Sequence, residues 1–278
     1  MLVDMKKIGT FVSSLRLSRH IYYSAVFCAG YYLAMRICGV GFSVYPFIYG
    51  FVLINILFAT SLMLNNYYDR AIDDVNKKCN PLNEPGASRP EYLSTFFFLS
   101  AASVAISLSI SFPVFLTAMS IHASSWIYSC PPLRIKRFFP FNTLLIAFST
   151  CLALVLGYFV PGGIFSKLPF TAIIIFTGLL FLSFNVKDVN DCEGDKKYSV
   201  QTLMTLLGPE KGRPATAALA YSAYLLVPLL LRNSFMLVPS IIIGGATFYV
   251  VMRKGKVNEA VIFLLMFIYA AIFLKFKS

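Results

Sequence analysis

Residues 43–73 read SVYPFIYGFVLINILFATSLMLNNYYDRAID, an apolar run that closes on Asn66, Asp69 and Asp73. Roughly 20 mainly apolar residues suffice to cross a bilayer, so the run is long enough to span one. Its polar end recurs further along the chain. Asp188, Asp191 and Asp195 each lie 122 positions beyond Asn66, Asp69 and Asp73, and they too follow an apolar stretch. Two oxygen-bearing clusters with one spacing indicate one kind of site built twice. Carboxylates gathered in this way suit hard divalent cations such as Mg²⁺, which take oxygen ligands, waters and substrate phosphates.

At 278 residues, 58% hydrophobic and 13% charged, the chain is too apolar for an ordinary soluble domain. Nine stretches qualify as spans: about 20–36, 43–64, 92–111, 113–129, 141–160, 168–186, 213–232, 235–252 and 258–275. The third and fourth are separated only by the turn around Ser111-Phe112-Pro113, which makes them a tight helical hairpin in the nine-span count and leaves eight spans as its competitor. The expected fold is an all-α polytopic membrane protein, one transmembrane domain over residues 1–278. Both aspartate clusters precede two spans and a basic segment, first Arg134, Lys136 and Arg137, then Arg253, Lys254 and Lys256. This order suggests an internal duplication with halves around 43–140 and 168–257.

The net charge of +12 raises the question of nucleic acid, but its placement answers it. Under nine spans, 19 of the 24 basic residues fall on one side of the membrane, Arg213 among them at a helix start; Arg36, Lys167, Arg232, Lys275 and Lys277 fall on the other. The excess marks the first side as cytoplasmic and serves topology, with the N-terminus inside a multi-pass plasma membrane protein. All 12 acidic residues lie on that side or at its helix ends, as the cost of a carboxylate in hydrocarbon requires. Before the first span, Phe11, Val12, Leu15 and Leu17 beside Arg16 and Arg19 make a basic amphipathic lead-in; it either lies on the membrane surface or simply sets topology. No small-residue cleavage site follows Lys6 and Lys7, so a removed signal peptide is not expected.

Cys28, Cys38, Cys79, Cys130, Cys151 and Cys192 show no C-x-x-C spacing, and neither disulfides nor zinc are expected. His20 and His122 stand alone; His122, in an apolar span, reads as a hydrogen-bonded packing residue. Chemistry therefore falls to the aspartates. Residues three and four apart share a helical face, so if each span continues helically past its apolar stretch, each cluster becomes a ladder of oxygen ligands. Asp74 and Glu193 fall off that face. Two facing ladders need cations, and a site acidic on two walls and overhung by basic loops suits an amphiphile with a diphosphate head. On cleavage of the carbon–oxygen bond, metal and basic side chains stabilise the leaving diphosphate. Aromatic faces, with Tyr67, Tyr68 and Tyr128 as candidates, stabilise the allylic cation.

The segment Asn65-Asn66-Tyr67-Tyr68-Asp69-Arg70-Ala71-Ile72-Asp73 resembles the N-D-x-x-D-x-x-x-D signature of the UbiA superfamily of intramembrane prenyltransferases. Lys187-Asp188-Val189-Asn190-Asp191-Cys192-Glu193-Gly194-Asp195 resembles its second signature, D-x-x-D-x-x-x-D, and Gln201-Thr202-Leu203 to Leu207-Gly208 its usual continuation. The resemblance implies nine helices around a central cavity with cytoplasmic cap loops, and Mg²⁺-dependent transfer from an isoprenyl diphosphate donor to a lipophilic acceptor. It implies that Asn66, Asp69 and Asp73 hold one metal and Asp188, Asp191 and Asp195 the other, with Asp69, Asp73, Asp191 and Asp195 catalytic. Lys187 begins the second signature and joins the substrate-binding candidates. Arg70 stands where the family often has a basic residue that contacts diphosphate or braces the cap; otherwise it pairs with Asp73 or Asp74.

Two departures qualify the transfer. Asn66 replaces a common Asp, so either Asn65 or Asn66 is the leading amide. The family's Tyr followed four positions later by Lys becomes Tyr128 followed by Pro132, with Arg134 and Lys136 the nearest basic candidates for diphosphate. That longer form resembles branches acting on homogentisate or chlorophyll-type acceptors. Aromatic quinone precursors rank ahead of glyceryl phosphate lipids as acceptors. The rival from another class is a cation-coupled transporter, which predicts mid-span carboxylates where this chain has none.

Overall fold

The computed structural model describes residues 16–85 and 87–277. Most of the amphipathic lead-in, including Phe11, Val12 and Leu15, lies outside the described residues. Among the described residues the secondary structure is helical throughout, with no strand. The α-helices are α1 (Leu17–Cys38), α2 (Val44–Val75), α3 (Arg89–Ile110), α4 (Phe112–Ser129), α5 (Phe141–Phe159), α6 (Phe170–Ser183), α7 (Cys192–Lys197), α8 (Leu203–Leu230), α9 (Leu237–Met252) and α10 (Glu259–Lys277). Five segments are long and apolar enough to cross a membrane by length and composition: Val44–Val75, Arg89–Ile110, Phe141–Phe159, Phe170–Asp188 and Ser234–Met252. Their outward faces carry large apolar side chains such as Phe98 and Ile174, each 71% exposed. Apolar surface of that kind calls for lipid contact.

The turn between α3 and α4 is the expected tight hairpin. Ser111 closes one helix by donating its backbone N–H to the Ser107 carbonyl, and opens the next by accepting from the Val114 N–H, with Pro113 in the first turn. His122 of α4 and Ser103 of α3 hydrogen-bond at 2.8 Å, so this histidine is indeed a packing residue. Ser61 to Ser125 and Ser240 to Tyr269 make the same kind of link between helices. Such bonds hold helices together where the hydrophobic effect cannot.

The chain divides into two compact units. One comprises the described residues of Met1–Ile135 with Phe148–Phe170, and the other Lys136–Ala147 with the described residues of Thr171–Ser278. In the first, Phe27, Leu53, Leu57 and Leu156 are almost fully buried. Here α1 and α5 approach at paired glycines. A Cβ on Gly30 would stand 1.9 Å from the Leu154 carbonyl oxygen, and one on Gly157 would stand 2.0 Å from that of Phe27. In the second unit, Val186, Ala217, Ala220, Val251, Val257 and Ile262 form one cluster.

The stretch 187–212, which lies between the expected spans 168–186 and 213–232, contains α7 and the start of α8. Thr202 begins α8 with a capping box, its Oγ1 accepting from the Thr205 N–H while its own N–H donates to Thr205 Oγ1. At Gly208 the backbone leaves the helix with φ 74°, and Pro209 restarts it, a pairing suited to a residue that tolerates positive φ and one that prefers a first turn. Arg213, counted with the topogenic charges, also has a structural task. Its guanidinium donates to the carbonyls of Val251, Arg253 and Gly255 and so caps the C-terminus of α9. Arg213→Ala is expected to lower stability in detergent by about 2 kcal/mol, since three carbonyls lose a charged donor; thermal unfolding followed by circular dichroism measures it.

Candidate functional site

The first cluster lies where α2 continues eleven residues past Leu64, from Asn65 to Val75. Asn66, Asp69 and Asp73 share one buried face of this extension, each at most 4% exposed, while Asp74 is exposed as its position off that face requires. The expected ladder is therefore present here. Asn65 donates from Nδ2 to Asp69 Oδ2 at 2.6 Å, and Arg134 donates from Nη2 to Asp69 Oδ1 at 3.0 Å and to the Tyr68 carbonyl at 3.0 Å. The two neighbouring amides thus divide the work. Asn65 orients Asp69, whereas the buried Oδ1 of Asn66 makes no hydrogen bond among the described residues. Arg134 reaches Asp69 from a backbone with φ 39°, a strained position for a non-glycine residue.

One organising residue escaped the sequence reading. Asn80, 1% exposed, donates from Nδ2 to Asp73 Oδ2 at 2.8 Å and to the Asn66 carbonyl at 2.9 Å, and its Oδ1 accepts from the Leu82 N–H. The Asn80-Pro81 pair signals a turn, but only the fold brings that turn back over α2. Arg70 pairs with neither Asp73 nor Asp74 among the described contacts; its Nε donates to Asn83 Oδ1 at 2.7 Å, and Asn83 returns a bond to the Arg70 carbonyl. Arg70 braces the loop and lines a cavity of about 480 Å³ with Tyr67, Tyr68, Asp74 and Arg89. Tyr128 is half-buried at the end of α4.

The second cluster is built differently, and the expectation of one continuous helix fails there. α6 ends at Ser183 and a 3₁₀ segment runs from Phe184 to Asp188. Asn185, fully buried, takes the carbonyls of Phe181 and Leu182 with its side-chain amide. A side chain competing for helical carbonyls favours such a break. The tighter bonding continues: Val189 N–H donates to the Val186 carbonyl, and Asp191 N–H to that of Asp188. Three residues per 3₁₀ turn place Asp191 over Asp188. The chain then returns to α geometry with Asp195 N–H donating to the Asp191 carbonyl, and four residues place Asp195 over Asp191. The 3-then-4 spacing is thus realised by one turn of each kind.

Oxygens of Asp188, Asp191 and Asp195 lie within 4.8 Å of one another. Asp188 and Asp195 are buried, Asp191 half-buried and Glu193 exposed. Lys187 Nζ forms an ion pair with Asp188 Oδ1. Burial, then the charges of Asp188 and Asp191, push the Asp195 carboxyl up to about 7, against the opposing pull of Lys136 and Lys187. Lys136 itself is 6% exposed, deep for a lysine. The loop is held from outside by Asn190, whose side chain exchanges two 2.8 Å bonds with the backbone of Val257. An all-oxygen set, crowded and buried with one carboxyl unwilling to ionise, fits a hard divalent cation.

Asp195 sets a pH dependence with a definite sign. Its folded value lies above the ordinary carboxylate value, so ionising it opposes folding, and the metal-free protein gains stability as pH falls through 7. Mg²⁺ competes with that proton, so its apparent affinity is expected to fall about tenfold from pH 8 to pH 6. Melting temperatures in EDTA should rise over the same interval while the increment from Mg²⁺ shrinks.

The family model of the UbiA prenyltransferase family matches residues 23–274. Digeranylgeranylglyceryl phosphate synthase of Korarchaeum cryptofilum (strain OPF8) is 28% identical over 148 residues, which cover 53% of this chain and 51% of that protein. Homogentisate solanesyltransferase of Arabidopsis thaliana is 28% identical over 218 residues, covering 70% and 54% respectively. The chain spans about half the length of these curated relatives. Among solved structures, a UbiA homolog from Archaeoglobus fulgidus bound to DMAPP and Mg²⁺ aligns with a TM-score of 0.72 at 20% identity, over 96% of this chain and 97% of that one. At that identity the likeness is one of fold.

Proposed function

The chain belongs to the UbiA prenyltransferase family, and on that premise we propose that it transfers an isoprenyl group from an allylic isoprenyl diphosphate to a lipophilic acceptor, releasing diphosphate. The observation that carries this reading is the second cluster: three carboxylates within 4.8 Å, one of them pushed up to about 7, call for a cation. In this reading Asp188, Asp191 and Asp195 hold one Mg²⁺, and Asn66, Asp69 and Asp73 another. This reading keeps about nine spans, five of them on segments long and apolar enough to cross a membrane, with the N-terminus and the active-site opening on the cytoplasmic side.

Bound Mg²⁺ would withdraw charge from the diphosphate oxygens and make diphosphate a better leaving group. The chain's own residues do the rest. Arg134, Lys136 and Lys187 supply positive charge to the diphosphate, with Asn65 holding Asp69 in place. Arg70 supports the cap that Asn83 completes. Tyr67, Tyr68 and Tyr128 offer aromatic faces to the cation left when the carbon–oxygen bond breaks. The acceptor's carbon or oxygen then bonds to that carbon, and its proton leaves to a carboxylate or to diphosphate.

Two acceptor chemistries are represented among the relatives, glyceryl phosphate lipids and homogentisate. An aromatic quinone precursor is our first choice. Purified protein in detergent, given radiolabelled geranylgeranyl or geranyl diphosphate with each acceptor class, should release diphosphate with one of them only when Mg²⁺ is present. Equal donor binding with and without metal would remove the diphosphate site and bring the cation-coupled transporter forward.

A further inference from the structure

Asp69 is fully engaged by protein: Asn65 holds Oδ2 at 2.6 Å and Arg134 holds Oδ1 at 3.0 Å. The ion pair is largely withdrawn from water, with side-chain exposures of 6% for Asp69 and 16% for Arg134, so its attraction is little screened. A divalent cation placed on the same carboxylate would meet a guanidinium already there, and two cations on one oxygen repel. Yet Arg134 is not content in this pose. Its Nε is buried without a hydrogen-bond partner among the described residues, and its backbone sits at φ 39°. A buried, unsatisfied guanidinium N–H is costly, and it points to an acceptor still to come.

We propose that Arg134 is an exchangeable counter-ion for Asp69. It neutralises the carboxylate while the cluster is empty of metal, yields it to Mg²⁺, and turns its donors to the diphosphate of the prenyl donor. This rests on the function proposed above. Its consequence is ordered loading: Mg²⁺ alone binds the first cluster weakly, because it must displace Arg134, whereas the diphosphate gives Arg134 a planar, multiply accepting partner and frees the aspartate. Metal and donor then strengthen each other's binding by one common factor. The chain thereby avoids a naked carboxylate in a buried site between turnovers.

The test is Mn²⁺ titration by calorimetry, with and without a non-hydrolysable geranyl thiodiphosphate. For the metal-alone arm, Asp191→Asn serves as background so that the first cluster is read by itself. Arg134→Gln in that background is expected to bind Mn²⁺ about tenfold more tightly than its parent, and the gain should vanish when Asp69→Asn is added. In the otherwise native chain, Arg134→Gln should reduce the mutual enhancement of metal and analogue by a similar factor. Arg134→Lys, which keeps the charge, should bind Mn²⁺ like the parent, and serves if the glutamine variant fails to fold. Unchanged or weaker Mn²⁺ binding in Arg134→Gln, or tighter binding in Arg134→Lys, overturns the proposal. If the native chain shows no metal-dependent binding of the analogue at all, the function itself is wrong; if it does and Arg134→Gln leaves the enhancement intact, only the exchange is.

Discussion

Asp191→Ala and Asp69→Ala are each expected to lower prenyl transfer by about 10³-fold or more, the scale set by losing a principal source of leaving-group stabilisation. Asp191 is the middle member of its cluster, bonded through its backbone to both neighbours and close through its carboxylate to both of theirs. Its removal leaves Asp188 tied to Lys187 and Asp195 relieved of one repelling charge. The Asp195 carboxyl should therefore move down while Mg²⁺ affinity falls. That opposite movement separates loss of a ligand from general collapse, and carbon-13 shifts of labelled aspartate read it directly. Asp69→Ala also strands Arg134, whose carboxylate partner is gone. Replacement of Glu193, which is exposed and not among the three clustered carboxylates, by alanine should retain native turnover. Parity between Asp191→Ala and Glu193→Ala in a diphosphate-release assay would refute the site.

The second large effect is on folding. Gly30→Ala and Gly157→Ala each add one methyl, and each methyl would lie about 2 Å from a backbone carbonyl of the facing helix. A flexible side chain could swing aside, but a carbonyl cannot without moving its helix. α1 and α5 must separate, and the loss is expected to reach about 3 kcal/mol, the upper range for overpacking. Close backbone approach through small residues is how helices bind where lipid competes on equal terms with apolar side chains. Gly178→Ala and Gly245→Ala, where a Cβ meets nothing within 4 Å, serve as matched controls and should be neutral or slightly stabilising. The folded fraction by size-exclusion chromatography and the melting temperature decide it. A melting temperature for Gly30→Ala equal to that of Gly178→Ala would mean that α1 and α5 do not pack as described.

The helices and the ligand types were open to reading in the chain itself. Apolar runs of spanning length are helical because no other short segment satisfies its backbone in hydrocarbon, and each run falls on helix, with five segments among the described residues long and apolar enough to cross a membrane. The Ser111 hairpin followed from Pro113, and the packing role of His122 from its isolation in an apolar span. The aspartate spacing announced a face, and for Asn66, Asp69 and Asp73 an α-helical extension supplies it.

What the spacing could not decide was the backbone that realises it. A 3-then-4 interval fits a continuous α-helix and equally a 3₁₀ turn followed by an α turn, and the second cluster takes the latter because Asn185 claims two helical carbonyls. Division of labour between Asn65 and Asn66, the pairing of Arg134 with Asp69 across 65 positions, and the reach of Asn80 back to Asp73 likewise depend on contacts between segments. Local sequence carries hydrophobic period and residue chemistry, which determine where helices form and what kind of ligand they offer. Which polar side chain satisfies which buried oxygen depends on distances that close only after the helices have packed, and tertiary structure alone assigned those partners.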